Sequence, residues 1–225
     1  MEKQDKVIIS IYAVWSVLVF ALTFAVKRLD ADNVTHILII IFFFAQLASY
    51  PLLKKAFKNI RPQVLFLVMG VFCAAVVEGT YMISKPVFDS VRITAGMGIG
   101  QMARNLLIDL VFTVPAYIVI FLVIWFFMNR YQYKLWQYLL FIGLGQALGD
   151  GGFYFIAAPF MLVFLPYIMV NYHAMNFVPY LLAKGSLKPK KSGWAKYVLP
   201  PVAIIITYLI MGGAIHLIGV LTGLK

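Results

Sequence analysis

A chain of 225 residues that is 63% hydrophobic and 12% charged has too little polar surface to cover itself in water, where globular domains average about 25% charged residues. Its net charge of +11 comes from cations set in short stretches between apolar runs, with no separate basic domain, so it points to membrane topology and not to nucleic acid. The solvent for most of the chain is lipid.

A bilayer core about 30 Å thick takes roughly 20 apolar residues of helix, and strand-length alternating segments of a barrel are absent. The sequence therefore predicts an all-α, polytopic helical membrane protein forming one integral domain, with about seven transmembrane helices. The first span covers 7–26. It is followed directly by Lys27 and Arg28 without a small-residue cleavage site, so it reads as a retained helix and not as a cleaved signal. Spans two to four are predicted at 34–53, 64–83 and 106–128. The connection 84–105 mixes Val87, Phe88, Val91 and Ile93 with Lys85, Asp89, Arg92 and Arg104 and carries Gly96, Gly98 and Gly100. That pattern predicts an interfacial helix and a hinge, with a re-entrant gate as the alternative.

From Leu135 to Leu182 no Lys or Arg occurs, and Gly149-Asp150-Gly151-Gly152 interrupts the stretch. Glycine reaches positive φ without steric cost and Asp tolerates turns, so an external hairpin is predicted there, between spans at 131–148 and 153–182. A seventh span follows at 198–223. With the N-terminus cytoplasmic and the C-terminus external, 13 Lys and Arg fall inside and 6 outside, an asymmetry that disappears if the glycine stretch is the middle of a span. Pro115, Pro159, Pro166 and Pro179 are expected to kink spans four and six, whereas Pro200 and Pro201 are assigned to the first turn of span seven. The pairs Gly145/Gly149 and Gly219/Gly223 have the small-xxx-small spacing of close helix packing.

Ionisable groups at membrane depth cost about 2.5 to 3.5 kcal/mol on insertion scales, so they are the informative residues. Depth brings Glu78, Asp109, Asp150 and His216 to the outer third of the bundle, where with Arg104, five positions before Asp109, they form the candidate substrate or proton site. A second, inner polar layer comprises Gln46, Asn171, His173 and Asn176. There, His173 and Asn176 share a helix face at i, i+3. Three histidines without a paired spacing, and the lone Cys73 in an apolar run, predict no metal site, no cofactor and no disulfide. Span seven holds no Lys before its end, which removes a retinylidene function. The run from Lys184 to Lys196 is expected to fix orientation and to touch anionic lipid headgroups.

Three functions are compatible with this pattern. The leading one is a transporter or permease-like protein for a small or amphipathic solute, suggested by the layered polar groups and the proline-broken sixth span. The second is an intramembrane enzyme acting on a lipid or isoprenoid, with Glu78 or Asp109 as acid and His216 as base. The third is a non-catalytic assembly subunit. Partners are then the bilayer and a small-molecule or lipid substrate, in what loop charge suggests is a prokaryotic plasma (inner) membrane.

Overall fold

Each apolar run folds as a helix whose ends carry recognisable local signals. In the computed structural model, which describes residues 3–27, 29–187 and 193–224, the long elements are α1 (Lys3–Lys27), α2 (Ala31–Ala56), α3 (Pro62–Tyr81), α4 (Ile99–Arg130), α5 (135–157), α6 (Leu165–Lys184) and α7 (Ala195–Thr222). Asp30 caps α2 by accepting the Asn33 N–H at 2.8 Å. Pro62 opens α3, where its missing N–H costs nothing. Gly223 closes α7 at φ 73°, in the left-handed region that glycine enters freely.

Six helices are long and apolar enough to cross a membrane: Gln4–Val26, Ala31–Ala56, Pro62–Tyr81, Ile99–Arg130, Pro159–Lys184 and Ala195–Thr222. This is the build of a multi-pass membrane protein. The remaining helix, α5, is composite. A single turn Leu135–Gln137 leads into the π-turn Tyr138–Ile142 and then the α-helix Gly143–Ala157.

The hairpin expected at Gly149–Gly152 is not there, because these residues lie inside α5. The chain instead leaves the helix at Ala158 and turns through the 3₁₀ segment Pro159–Phe164. The physical reason is that proline disfavours helical geometry in the residue before it and offers no N–H to continue the ladder. The glycines serve contact instead. A β-carbon on Gly145 would stand 2.8 Å from the Pro201 Cα, and one on Gly149 would stand 2.8 Å from the Tyr208 Cβ. In place of the expected spans 131–148 and 153–182 the structure has helices at 135–157 and 165–184, of which only the second belongs to a segment long and apolar enough to cross a membrane. Pro200 and Pro201 also move, from a first turn to the interior of α7, where Pro201 meets Gly145.

Five helices close a ring in which α3 packs on α4, α4 on α7, α7 on α5, α5 on α6, and α6 back on α3. Helices α1 and α2 lie outside it against α6. In the most apolar 18-residue window of Pro159–Lys184, 67% of the residues are buried, against at most 33% in that of any other crossing helix, so α6 is the axis of the bundle. At one end Asp5 pairs with Lys134 at 3.6 Å, and at the other Lys85 pairs with Asp32 at 2.8 Å.

The connection from α3 to α4 is shorter and more ordered than an interfacial helix with a hinge. It forms one 3₁₀ turn at Asp89–Val91 and buries Met82, Phe88 and Val91 in a small second core with Ile108, Phe112, Ile215 and Leu224. Gly219 of α7 lets Phe88 seat against the helix backbone. Residues 82–98 thus cap one end of the ring.

Replacing Gly145 with Leu should force α5 and α7 apart, at a cost of about 1 to 3 kcal/mol. Gly213→Leu, at a site with open space around it, should cost far less. Thermal unfolding of the two variants in detergent measures the difference; equal midpoints would contradict the close packing.

Candidate polar site inside the helix ring

The ring is lined by polar side chains from all five of its helices. Gln146 and Asp150 are four residues apart and share one face of α5, and Tyr172 and Asn176 share one face of α6 in the same way. Glu78 of α3, Tyr117 of α4 and Tyr208 of α7 complete the set. The Tyr117 hydroxyl donates to Glu78 Oε1 at 2.5 Å, and the Tyr172 hydroxyl donates to Asp150 Oδ2 at 2.6 Å. Each carboxyl is therefore held by a phenol from another helix.

Glu78 and Asp150 lie within electrostatic reach of one another, and Tyr208 lies within reach of both. The Tyr172 and Tyr208 rings meet edge to face, 6.0 Å apart at 81°. Gly149 permits this arrangement by letting the base of Tyr208 rest on α5 beside Asp150. Tyr117, Tyr172 and Tyr208 are buried, whereas Glu78 is half-buried and Asp150 exposed. No Lys or Arg hydrogen-bonds to either carboxyl among the described residues; Lys85, in range of Asp150, has its ammonium on Asp32.

Towards the other end the polar chain continues and closes. Gln146 Nε2 donates to the Tyr208 hydroxyl at 3.4 Å, Asn176 Nδ2 donates to Gln146 Oε1 at 2.7 Å, and the Tyr138 hydroxyl donates to Asn176 Oδ1 at 2.8 Å. Tyr138, placed by the π-turn, stacks on Tyr180 at 3.7 Å and 2°. Below them the Lys196 ammonium is buried and donates to the Gln137 Oε1 and Gln132 carbonyl oxygens at 3.1 and 3.2 Å. Lys196 therefore faces the protein and not lipid headgroups, because Gln132 and Gln137 offer it oxygens. Lys184 is exposed with its ammonium 5.8 Å from the Tyr180 ring, and Lys188, Lys190 and Lys191 lie outside the described residues.

The expected outer site is divided by the structure. Glu78 and Asp150 share the ring, but Asp150 sits within a helix and not at the tip of a hairpin. Asp109 is fully buried near Glu78 and accepts the Val87 N–H at 2.8 Å, so it fastens the 82–98 cap to α4. Arg104 is exposed in a groove on the outside of α4. His216 is exposed on α7. Position along each helix can be counted from the sequence, whereas the direction each side chain faces cannot.

The inner layer also separates into different contacts. Gln46 Nε2 donates to the Ala174 carbonyl at 2.7 Å, and its Oε1 accepts from Cys73 Sγ at 3.3 Å. Asn171 Nδ2 donates to the Tyr81 hydroxyl at 2.5 Å, and His173 Nε2 pairs with the Tyr12 hydroxyl at 2.9 Å. Three of the four residues thus tie helices together, and Asn176 alone joins the ring. Tyr117, Tyr172 and Tyr208 do not stand out among 13 tyrosines in the sequence. The four-residue spacing of Gln146 to Asp150 and of Tyr172 to Asn176 is the signal that marks this lining.

Among the described residues, no three His, Cys, Asp or Glu side chains gather as a metal site. No protein-family model matches the chain, and neither a curated protein nor a solved structure matches it. Fold and site together define a multi-pass helical membrane protein with an acid- and phenol-lined interior.

Asn176→Leu should leave the Tyr138 hydroxyl and the Gln146 carbonyl oxygen without their partner, at about 1 to 3 kcal/mol. His216→Leu, on an exposed surface, should leave the unfolding midpoint unchanged. Calorimetry or fluorescence melting in one detergent compares them.

Proposed function

We propose that this chain is a transporter for a small solute and that Glu78 and Asp150 are its proton- or cation-exchanging pair. One observation carries this reading: two carboxyls on different helices of the ring stand within electrostatic reach of each other, each held by a tyrosine and neither hydrogen-bonded to a cation among the described residues. Isolated charge at membrane depth is costly, and an acid pair of this kind offsets the cost by taking up a proton or a monovalent cation as a unit.

The surroundings supply the other parts such a protein needs. The cap 82–98 covers one end of the ring, held by Asp109 on the Val87 N–H, by the Thr35 and Ser84 hydroxyls 3.0 Å apart, and by the Lys85–Asp32 pair. The stacked Tyr138 and Tyr180 with the Gln146–Asn176 bond close the other end. The π-turn in α5 sets Tyr138 against Asn176 at the closed end of the polar chain, and π-turns recur at functional positions. Nothing in the geometry favours an acid–base pairing with His216, which the enzyme alternative required.

We further take α5 as a seventh crossing, with the N-terminus cytoplasmic, the C-terminus external and the chain in a prokaryotic plasma membrane. Loop charge supports this orientation, because the end carrying Lys54, Lys55, Lys58, Arg61, Arg130 and Lys134 is the more basic. Alkaline phosphatase fused after the C-terminus should then be active, and green fluorescent protein fused there through the translocation pathway for unfolded chains should be dark. The opposite pattern reverses the orientation.

The transport reading is tested in proteoliposomes under an imposed pH gradient, with a dye inside reporting proton movement while a panel of small organic cations, anions and neutral solutes is added outside. Solute-dependent proton flux is expected for the wild type. Glu78→Gln and Asp150→Asn should each reduce it at least about tenfold, the factor that corresponds to 1.4 kcal/mol, and His216→Leu should leave it intact. Flux that survives in both acid variants would remove the pair from the mechanism.

A further inference from the structure

A groove of about 500 Å³ runs along the outside of α4, away from the ring. It is lined by Gly100, Ala103, Arg104, Leu107, Val111 and Phe112, with Ile108 and Leu224 completing its walls. These α4 positions recur every three or four residues, so they form a single stripe down one helix face. From residue 100 to residue 112 the stripe is about 18 Å long at 1.5 Å per residue. That length matches one leaflet of a hydrocarbon core about 30 Å thick.

Two features identify the occupant. Leu107 and Val111 are exposed although they lie in a helix long and apolar enough to cross the membrane, so lipid is the medium that meets them. Arg104, at the end of the stripe nearer the start of α4, makes no hydrogen bond or ion pair among the described residues. Gly100 and Ala103 beside it are small, and a β-carbon on Gly100 would meet nothing within 4 Å, which leaves room for a headgroup. A guanidinium at the rim of an apolar channel one leaflet long is complementary to a phosphate carrying an acyl chain.

We propose that this groove binds an anionic phospholipid, with the phosphate on Arg104 and one acyl chain along Leu107, Val111 and Phe112. The site is separate from the acid pair and stands whether or not the chain is a transporter. It also has a structural consequence. Ile108, Phe112 and Leu224 line the groove on one side and pack under Met82, Phe88 and Val91 of the cap on the other. A bound chain therefore buttresses the cap from outside.

The test is native mass spectrometry of the detergent-purified full chain, titrated with phosphatidylglycerol or phosphatidylcholine of identical acyl chains. Both headgroups carry a phosphate, but the choline ammonium cancels its charge in phosphatidylcholine; one Arg facing a net anionic headgroup contributes about 1 kcal/mol near the membrane surface, so the wild type should retain phosphatidylglycerol about fivefold more strongly. Arg104→Gln, at an exposed position, should abolish that preference, and Ala103→Trp, which fills the groove, should lower retention of both lipids. Arg92→Gln, on the cap but outside the groove, should change nothing. Equal retention of the two lipids by the wild type overturns the proposal. So does a preference that persists in Arg104→Gln, or a lipid-free dimer that protects α4.

Discussion

The architecture depends on where its most polar crossing helix sits. α6 carries Asn171, His173 and Asn176, and the crossing segment that contains it is the least apolar of the six, yet it is twice as buried as any other. In lipid an unpaired amide or imidazole is expensive, so a helix with this composition is tolerated only where other helices surround it. α1, α2, α3 and α5 do so, and each meets at least one of its polar groups: Tyr12 of α1 at His173, Gln46 of α2 at the Ala174 carbonyl, Tyr81 at the end of α3 at Asn171, and Gln146 of α5 at Asn176. The ring and its lining follow from satisfying this one helix.

Close approach of α5 and α7 is the second requirement, and glycine supplies it. Gly145 and Gly149 bring the Pro201 backbone and the Tyr208 side chain against α5, which places the Tyr208 ring within range of Asp150 and Glu78. Hydrophobic burial distinguishes poorly between helix arrangements when the solvent is itself hydrocarbon, so packing of small residues and polar bonds decides the arrangement. Here both devices act at the same level of the bundle. The acid pair is a product of that packing as much as of the acids themselves.

The crossing helices were legible because 20-residue apolar runs have few other readings, and the small-xxx-small spacing of Gly145 and Gly149 announced a close contact that the structure contains. The direction change was misread at the same residues. A Gly-Asp-Gly-Gly stretch satisfies the local rules for a turn, and only tertiary contact with α7 shows that the glycines are needed for proximity. The Ala158-Pro159 step carried the true signal and was assigned to a kink. Glu78, singled out for the cost of charge at depth, and Asp150, singled out at an expected hairpin, both fall on helices of the ring. Arg104 and His216 were grouped with them because depth follows from counting along a helix, whereas azimuth depends on which neighbour each face meets. The tyrosines were hidden by abundance, since a phenol in an apolar run reads as bulk until its hydroxyl is seen to have an address.

The central place of α6 has a consequence for how the molecule is made. α1 and α2 touch each other little and pack mainly on a helix that the ribosome completes about 130 residues after α2, roughly 6 to 26 s later at 5–20 residues per second. Until then Asn33 lacks the Tyr167 hydroxyl, His36 the stacked Tyr167 ring, and Gln46 the Ala174 carbonyl. The nascent N-terminal half thus enters the bilayer with polar groups facing the place its axis will occupy. Until that axis arrives, the insertion machinery or interfacial water has to cover them.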